Sequence, residues 1–421
     1  MRLGRVSWTD IGGPPRRCGG VRWVPSFGAP VASGWRPGRA GRDDSPLPTG
    51  HDGPMRRRGP APLARVGEAI EVIRDARLAP DVDPDAEWPD PPPTDRWETD
   101  VLGRGHEALT LPLADDFEGE VVTTLVRYRP EIDPGRVTMP GVVTPRVRRV
   151  VLYLHGWSDY FFNHELGPFW LDNEAAFYAI DLRKYGRSLR RHQSAGYVDR
   201  LETYAEDIEA ALAVVAQEHP GLPVTLMAHS TGGLTVSLWA HHNPGRVTGL
   251  VLVSPWLETQ GSSVVRTLST PLVTELAKNF PLRLTPQIDL GFYNRTISDL
   301  HDGEWSLVAP WRPSRSFPAR YGWLAAVLRG HARVAKGLDV DVPVLVLRSQ
   351  KSLISPVWDD AMTTSDIVIE VDVIAERALR IARNVTVATV PDAIHDVLLS
   401  KRPVRDVAYA HIGRWAAGYL P

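Results

Sequence analysis

Cysteine is almost absent from this 421-residue chain, with Cys18 the single example. No intramolecular disulfide can form, and a cysteine-rich metal site is excluded. Long hydrophobic runs are missing too. No apolar stretch approaches the roughly 20 residues that cross a bilayer, so no integral membrane segment is expected. The arginines near the N-terminus lead into no uninterrupted apolar h-region, so no secretory signal is expected and the expected location is cytoplasmic. Charge of neither sign prevails: 48 Lys and Arg face 50 Asp and Glu, a formal charge of −2. That balance argues against nucleic acid as a partner. There is no Gly-rich phosphate loop, and no His/Asp/Glu cluster has metal-ligand spacing, since the adjacent His241 and His242 point different ways on a helix. No metal and no cofactor are therefore expected.

What the chain has is apolar residues in quantity, 43 % of the total, enough for a sizeable core in one large domain with an insertion or in two domains. The first sixty residues differ from the rest. They are dense in Gly, Pro and Arg, carry eleven arginines against four aspartates, and show neither helical nor strand periodicity. Residues 1–95 are expected to be a disordered tail and linker, with a short helix at 66–78 and a Pro- and Asp-rich linker at 85–93.

Beyond Trp97 the pattern is that of strands alternating with helices. Ala108 to Leu113 and Val121 to Tyr128 read as an antiparallel hairpin, followed by strands at 149–154 and 176–180. The helix Glu202 to Glu218 puts Tyr204, Ile208, Leu212 and Val215 on one face. Strands at 224–227, 247–253, 343–347 and 385–390 follow, then a C-terminal helix from Val404 to Tyr419 with Val404, Val407, Ile412 and Trp415 facing inward. Sequential parallel strands need helical crossovers, so a doubly wound, mostly parallel α/β sheet is expected. Its core comprises residues 96–256 and 340–421. Residues 257–339, rich in Pro and aromatics, interrupt the alternation after the sixth strand and are expected to form a helical cap over the strand C-termini. Their aromatics either line an acyl pocket or make a small core of their own.

The most informative segment is Ala228-His229-Ser230-Thr231-Gly232, which stands between a β-prone run and a helix-compatible one. A serine hydroxyl is unreactive at its free pKa; a sharp strand-to-helix elbow lifts it out of the sheet toward a general base. The elbow needs small residues two before and two after the serine, here Ala228 and Gly232. Upstream, the apolar run Val150 to Leu154 ends in His155-Gly156-Trp157. The backbone N–H groups of Thr231 and Trp157 are the expected oxyanion donors, with His155, Gly156 and His229 as candidate substrate-binding residues. Downstream by 165 residues, His395 follows the last strand, where a base must lie to reach a serine at the C-terminal edge of a parallel sheet.

From about Trp97 onward the chain resembles an α/β-hydrolase of the lysophospholipase and monoacylglycerol-lipase-like group, also described as serine aminopeptidase-like. The segments that carry the likeness are Leu154-His155-Gly156, Ala179 to Arg183 with Gly186-Arg187-Ser188, the Ser230 elbow and His395-Asp396. The departure from Gly at Ala228 is a small one. In such enzymes an aspartate usually follows the strand at 343–347, but Ser352 stands there. Asp366, 29 residues before His395, has the better spacing, with Asp359, Asp360, Asp372 and Glu258 as alternatives. The resemblance implies a cofactor-independent serine hydrolase acting on a small-molecule acyl ester, with Ser230 as nucleophile, His395 as base and Asp366 as orienting acid. An aminopeptidase or amidase of the same fold would need an acid in the cap for the substrate amine, and Glu275, Asp289, Asp299, Asp302 and Glu304 are available. A catalytically silent binding protein is the third reading, kept open by Ser352.

Overall fold

The computed structural model of the protein describes residues 87–136, 146–259, 263–286 and 289–421. The expectations for residues 1–86, including the disordered arm and the helix at 66–78, lie outside the described residues. Residues 88–93, assigned to the linker by sequence, lie against the fold. The Trp88 ring joins the core, and Thr110 donates to the carbonyls of Pro92 (Oγ, 2.6 Å) and Pro93 (N–H, 2.9 Å).

The described residues make one nine-stranded sheet. Its strands are β1 (Glu98–Thr99), β2 (His106–Pro112), β3 (Val122–Tyr128), β4 (Arg149–Leu154), β5 (Ala175–Asp181), β6 (Val224–His229), β7 (Gly249–Val253), β8 (Val344–Ser349) and β9 (Val385–Val390). Their order across the sheet is β1-β2-β3-β5-β4-β6-β7-β8-β9. The first three strands and β5 pair antiparallel; from β5 through β4 to β9 every pairing is parallel. The two-residue β1 is absent from the sequence reading, and the other eight strands lie where that reading has them.

The alternation of side chains along each strand explains the layers. Val150, Leu152 and Leu154 of β4, with Leu250 and Leu252 of β7, face α2 (Tyr204–Glu218), α3 (Thr231–His242) and α6 (Tyr321–Lys336). Val151 and Tyr153, with Val251 and Val253, face α1 (Leu166–Asp172) and α8 (Arg402–Tyr419) on the other side. All six residues of β4 are buried, as a strand covered on both faces requires. Each such Val or Leu contributes about 1.5–3 kcal/mol by burial. Tyr204, Ile208, Leu212 and Val215 of α2 are all buried. In α8 the inward stripe runs Ala408, Ile412, Trp415 and Ala416. Val407 was expected in it and is 41 % exposed. It stands one residue, about 100° of helix, away from Ala408.

Between β7 and β8 lie α4 (Ser263–Asn279), α5 (Phe292–Ile297) and α6. The aromatics of this segment serve neither expected role alone: Trp305 and Trp311 pack on Tyr160, Phe162, Ile394 and Leu399, which belong to loops at the C-terminal ends of β4 and β9. Trp305 Nε1 donates to Leu399 O at 3.0 Å, and Tyr160 Oη accepts from Val308 N at 2.9 Å. α7 (Val371–Ala378) precedes β9.

Asp181 and Arg183 illustrate how the loops around the sheet's edge are fixed. They pair with other residues. Asp181 Oδ2 accepts from Arg187 Nη1 at 2.7 Å, Arg187 also grips Asp100, and Arg183 Nε donates to Asp207 at 2.6 Å. Arg187 is fully buried, so its two carboxylates offset a desolvation cost that neither alone would cover.

Candidate active site

β6 ends at His229 and α3 begins at Thr231, leaving Ser230 alone in the bend with φ 49° and ψ −116°. A non-glycine residue at such angles is strained, and the surroundings must hold it. They do so through the backbone: Ser230 N–H donates to Val253 O at 3.0 Å, and Ser230 O accepts from Gly233 N at 3.0 Å and Trp256 N at 2.9 Å. The small residue two positions on is required by contact, since a Cβ on Gly232 would stand 2.3 Å from the carbonyl oxygen of His155. Gly156 answers from the facing loop, where a Cβ would be 3.0 Å from that of Ser230.

His395 reaches the serine from the turn after β9. Its Nε2 lies 3.1 Å from Ser230 Oγ and its Nδ1 lies 2.8 Å from Asp366 Oδ2. The carboxylate assigns the proton to Nδ1, which leaves the Nε2 lone pair to accept from the serine hydroxyl. Asp366 is itself held, its Oδ1 accepting from the N–H groups of Val368 at 2.8 Å and Ile369 at 2.9 Å. The three side chains are buried, with Ser230 at 7 %, His395 at 1 % and Asp366 at 0 % exposure. The Tyr293 ring stands edge-on to His395, centroids 5.3 Å apart, and closes the site from the β7–β8 segment.

The other carboxylates weighed as the acid are engaged elsewhere. Glu258 pairs with Arg377 at 2.6 Å and Asp372 with Arg348 at 2.9 Å. Asp359 caps Ala361 N, and Asp360 accepts from Trp358 Nε1. Ser352, in the slot where an acid was expected, donates from Oγ to Ile369 O at 2.8 Å and accepts from Val371 N at 2.9 Å.

Thr231 is the first residue of α3, so its N–H has no intrahelical acceptor. Trp157 follows Gly156 on the facing loop. Its ring packs against Trp323 of α6 in a tilted pair, centroids 3.7 Å apart, and meets Tyr185 edge-on. His155, a candidate substrate-binding residue by sequence, is engaged through both ring nitrogens: its Nδ1 donates to Gly156 O at 2.7 Å and its Nε2 accepts from Leu182 N at 3.1 Å, so the ring braces two loops. Burial lowers its pKa, and a neutral ring suits both bonds. His229 is buried behind the serine, its ring centroid 5.0 Å from that of His395.

Sequence reasoning counted Tyr293 only among the aromatics of the 257–339 segment, and passed over Asp159 and Arg312. Asp159 Oδ1 accepts from Arg312 Nε at 3.1 Å, and the Arg312 guanidinium lies over the Tyr293 ring, 5.2 Å from its centroid. The signal was weak because Tyr293 and Arg312 belong to a segment without periodicity. Asp159, three residues past Gly156, was findable as a carboxylate in the loop that faces the nucleophile. No group of three or more His, Cys, Asp or Glu side chains with metal-site geometry occurs among the described residues. No helix among them is long and apolar enough to cross a membrane.

A mostly parallel sheet with Ser230 at a strand-to-helix elbow and His395 past the last strand is the architecture of an α/β-hydrolase. The chain belongs to the family described as serine aminopeptidase, S33, which matches residues 145–400. It is 28 % identical over 138 residues to the monoacylglycerol lipase of Mycolicibacterium smegmatis, covering 32 % of this chain and 48 % of that protein. The matches span about half the length of the curated relatives. Among solved structures, a soluble variant of the monoglyceride lipase of Saccharomyces cerevisiae in complex with a substrate analog is similar with a TM-score of 0.54 and 14 % identity, over 82 % of this chain and 100 % of that one. A thermostable carboxyl esterase from Bacillus coagulans gives 0.53 and 17 %, over 75 % and 99 %. At these identities the structural likeness concerns the fold.

Proposed function

We propose that the protein is a serine hydrolase of carboxylic esters, of the monoacylglycerol or lysophospholipid kind, working through a covalent acyl-enzyme. The observation that carries the reading is the placing of His395 between Ser230 and Asp366, at 3.1 and 2.8 Å. Ser230 Oγ attacks the ester carbonyl while His395 Nε2 takes its proton, and Asp366 holds the imidazole and stabilises its charge. The N–H groups of Thr231 and Trp157 hold the oxyanion. His395 then gives its proton to the departing alkoxide, which leaves as the alcohol. In the second half water attacks the acyl-enzyme, His395 takes the proton from it and returns it to Ser230, and the carboxylic acid is released. The relatives named for monoacylglycerol lipase support the ester class.

Residues 257–339 are proposed as the cap of this site, which the packing of Tyr293 on His395 and of Trp323 on Trp157 supports. Four of the five acids considered for a substrate amine have other partners. Glu304 pairs with Arg405, Asp302 with Arg295 and Glu275 with Lys278, while Asp289 accepts from the Ser316 and Gly291 N–H groups. Ester hydrolysis is therefore favoured. The test is labelling with a fluorophosphonate probe, then turnover of a graded series of p-nitrophenyl and monoacylglycerol esters. Ser230→Ala is expected to abolish labelling and lower kcat by ~10³-fold or more. Labelling that persists in the variant rejects the reading.

A further inference from the structure

Directly behind the nucleophile, His229 occupies a pocket of buried charge. Its Nδ1 lies 3.7 Å from Oδ2 of Asp159 and 3.7 Å from Oδ2 of Asp396, and all three side chains are at most 5 % exposed. Both distances are too long for hydrogen bonds, and neither ring nitrogen has a hydrogen-bond partner among the described residues. Neutral imidazole gains almost nothing from such a placement, whereas imidazolium gains from both carboxylates at once.

We propose that His229 is a positioning residue: as an imidazolium it ties Asp159, in the loop after β4, to Asp396, in the loop that carries His395, and it lets them go when its proton is lost. The proposal rests on the hydrolase reading of Ser230 and concerns what holds that site together. Asp159 is two residues from Trp157, and Asp396 is the neighbour of His395. The clamp therefore sets the distance between the oxyanion loop and the base.

The groups that face His229 are His155 and Asp159 from the loop after β4, His395 and Asp396 from the loop after β9, and Arg312 and Tyr293 from the β7–β8 segment. Of the two carboxylates, Arg312 pairs with Asp159 only, through Oδ1. Asp396 Oδ1 caps Leu398 N, so its Oδ2 depends on His229 for a cation. Burial by itself would lower the pKa of His229, but Asp396 and then Asp159 hold it above the ordinary histidine value. Burial raises the Asp396 carboxyl against the pull of His229, while Arg312 and His229 keep Asp159 low. The proton belongs to the cluster as a whole. When it leaves, two buried carboxylates face each other across a neutral ring.

The sign follows. His395 must be neutral to act as base, so activity falls in acid. The raised pKa of His229 means that its charge, and the clamp, are present below the ordinary histidine value and are lost as pH rises through the higher one. The kcat/KM profile should therefore carry an alkaline limb that belongs to His229.

The experiment measures kcat/KM for a soluble p-nitrophenyl ester, and the rate of fluorophosphonate labelling, against pH in the full chain. The wild type should be bell-shaped. His229→Gln should lower the plateau by about 10- to 10²-fold, the effect of a small misplacement of reacting groups, and lose the alkaline limb. Adding Asp396→Asn should recover a large part of that loss, because one carboxylate no longer needs the cation. A histidine that merely fills space would not be rescued in this way. If His229→Gln does not fold, Asp396→Asn alone decides, since it should flatten the alkaline limb. A wild-type profile without that limb, an unmoved limb in either single variant, or a double variant no better than His229→Gln overturns the proposal. Labelling of Ser230→Ala, run alongside, is the separate sign that the hydrolase reading has failed.

Discussion

Ser352 and Asp366 stand opposite each other across an isolated parallel bridge, in which Leu353 N donates to Asp366 O at 2.8 Å and Asp366 N to Lys351 O at 3.0 Å. The acid that orients His395 in the proposed mechanism thus comes from the chain lying alongside the expected slot. Ser352 fixes that chain, its hydroxyl bonded to Ile369 O and Val371 N. Asp366 supplies the charge, and Ser352 holds the turn whose N–H groups grip it.

Asp366→Asn should therefore keep the fold and lower kcat by on the order of 10²- to 10⁴-fold, through the wrong imidazole tautomer and the missing charge. Ser352→Ala should cost about 1 kcal/mol of stability, the worth of a typical intramolecular hydrogen bond, and reduce kcat much less. Asp360→Asn, Asp372→Asn and Glu258→Gln should each be mild. Urea unfolding and steady-state kinetics on the five variants check this, and collapse in one of the last three would move the acid's role to that residue.

The elbow and the placing of His395 were legible in the sequence because the proposed chemistry demands local residue types: a serine between small neighbours, and a histidine past a strand. The sheet was legible for the same reason, since β4 and β7 are short apolar runs and α2 has a clean four-and-three spacing. Asp366 could be favoured but not separated from four rivals. Its 2.8 Å contact with His395 Nδ1 distinguishes it, and that contact rests on the bridge to Ser352, which pairs residues that no local pattern links. The aromatics at 305 and 311 were visible as types, but their attachment to Tyr160 and Leu399 depends on tertiary contact. Val407 failed because the inward stripe of α8 begins one residue later than its apolar pattern suggests.

The positive φ of Ser230 separates stability from function. Glycine adopts φ 49° without the penalty a Cβ imposes, whereas alanine keeps it. Ser230→Gly should be more stable than Ser230→Ala by about 1 kcal/mol, the relieved strain less the extra chain entropy of glycine. Both variants should be inactive. Urea midpoints compare them, and equal or reversed stabilities would mean that the elbow carries no strain.

Gly232 offers a sharper test of how closely the two loops approach. Alanine is the better helix former by about 1 kcal/mol, so on propensity alone Gly232→Ala would stabilise α3. Contact outweighs this, because the new Cβ would stand 2.3 Å from His155 O and 2.9 Å from Leu154 O, both backbone atoms that no rotamer can move. The loop after β4 cannot yield alone, since the His155 ring ties it to Gly156 and Leu182. The variant should lose about 1–3 kcal/mol of stability by overpacking. It should also lose on the order of 10²-fold in kcat, as the proposed Thr231 and Trp157 donors are pushed apart, with less change in KM. Gly418→Ala is the control: an added Cβ there meets nothing within 4 Å, and the change should be neutral or slightly stabilising with full activity. Near-normal kcat in Gly232→Ala would show that the two loops are not held at the separation on which the proposed oxyanion site depends.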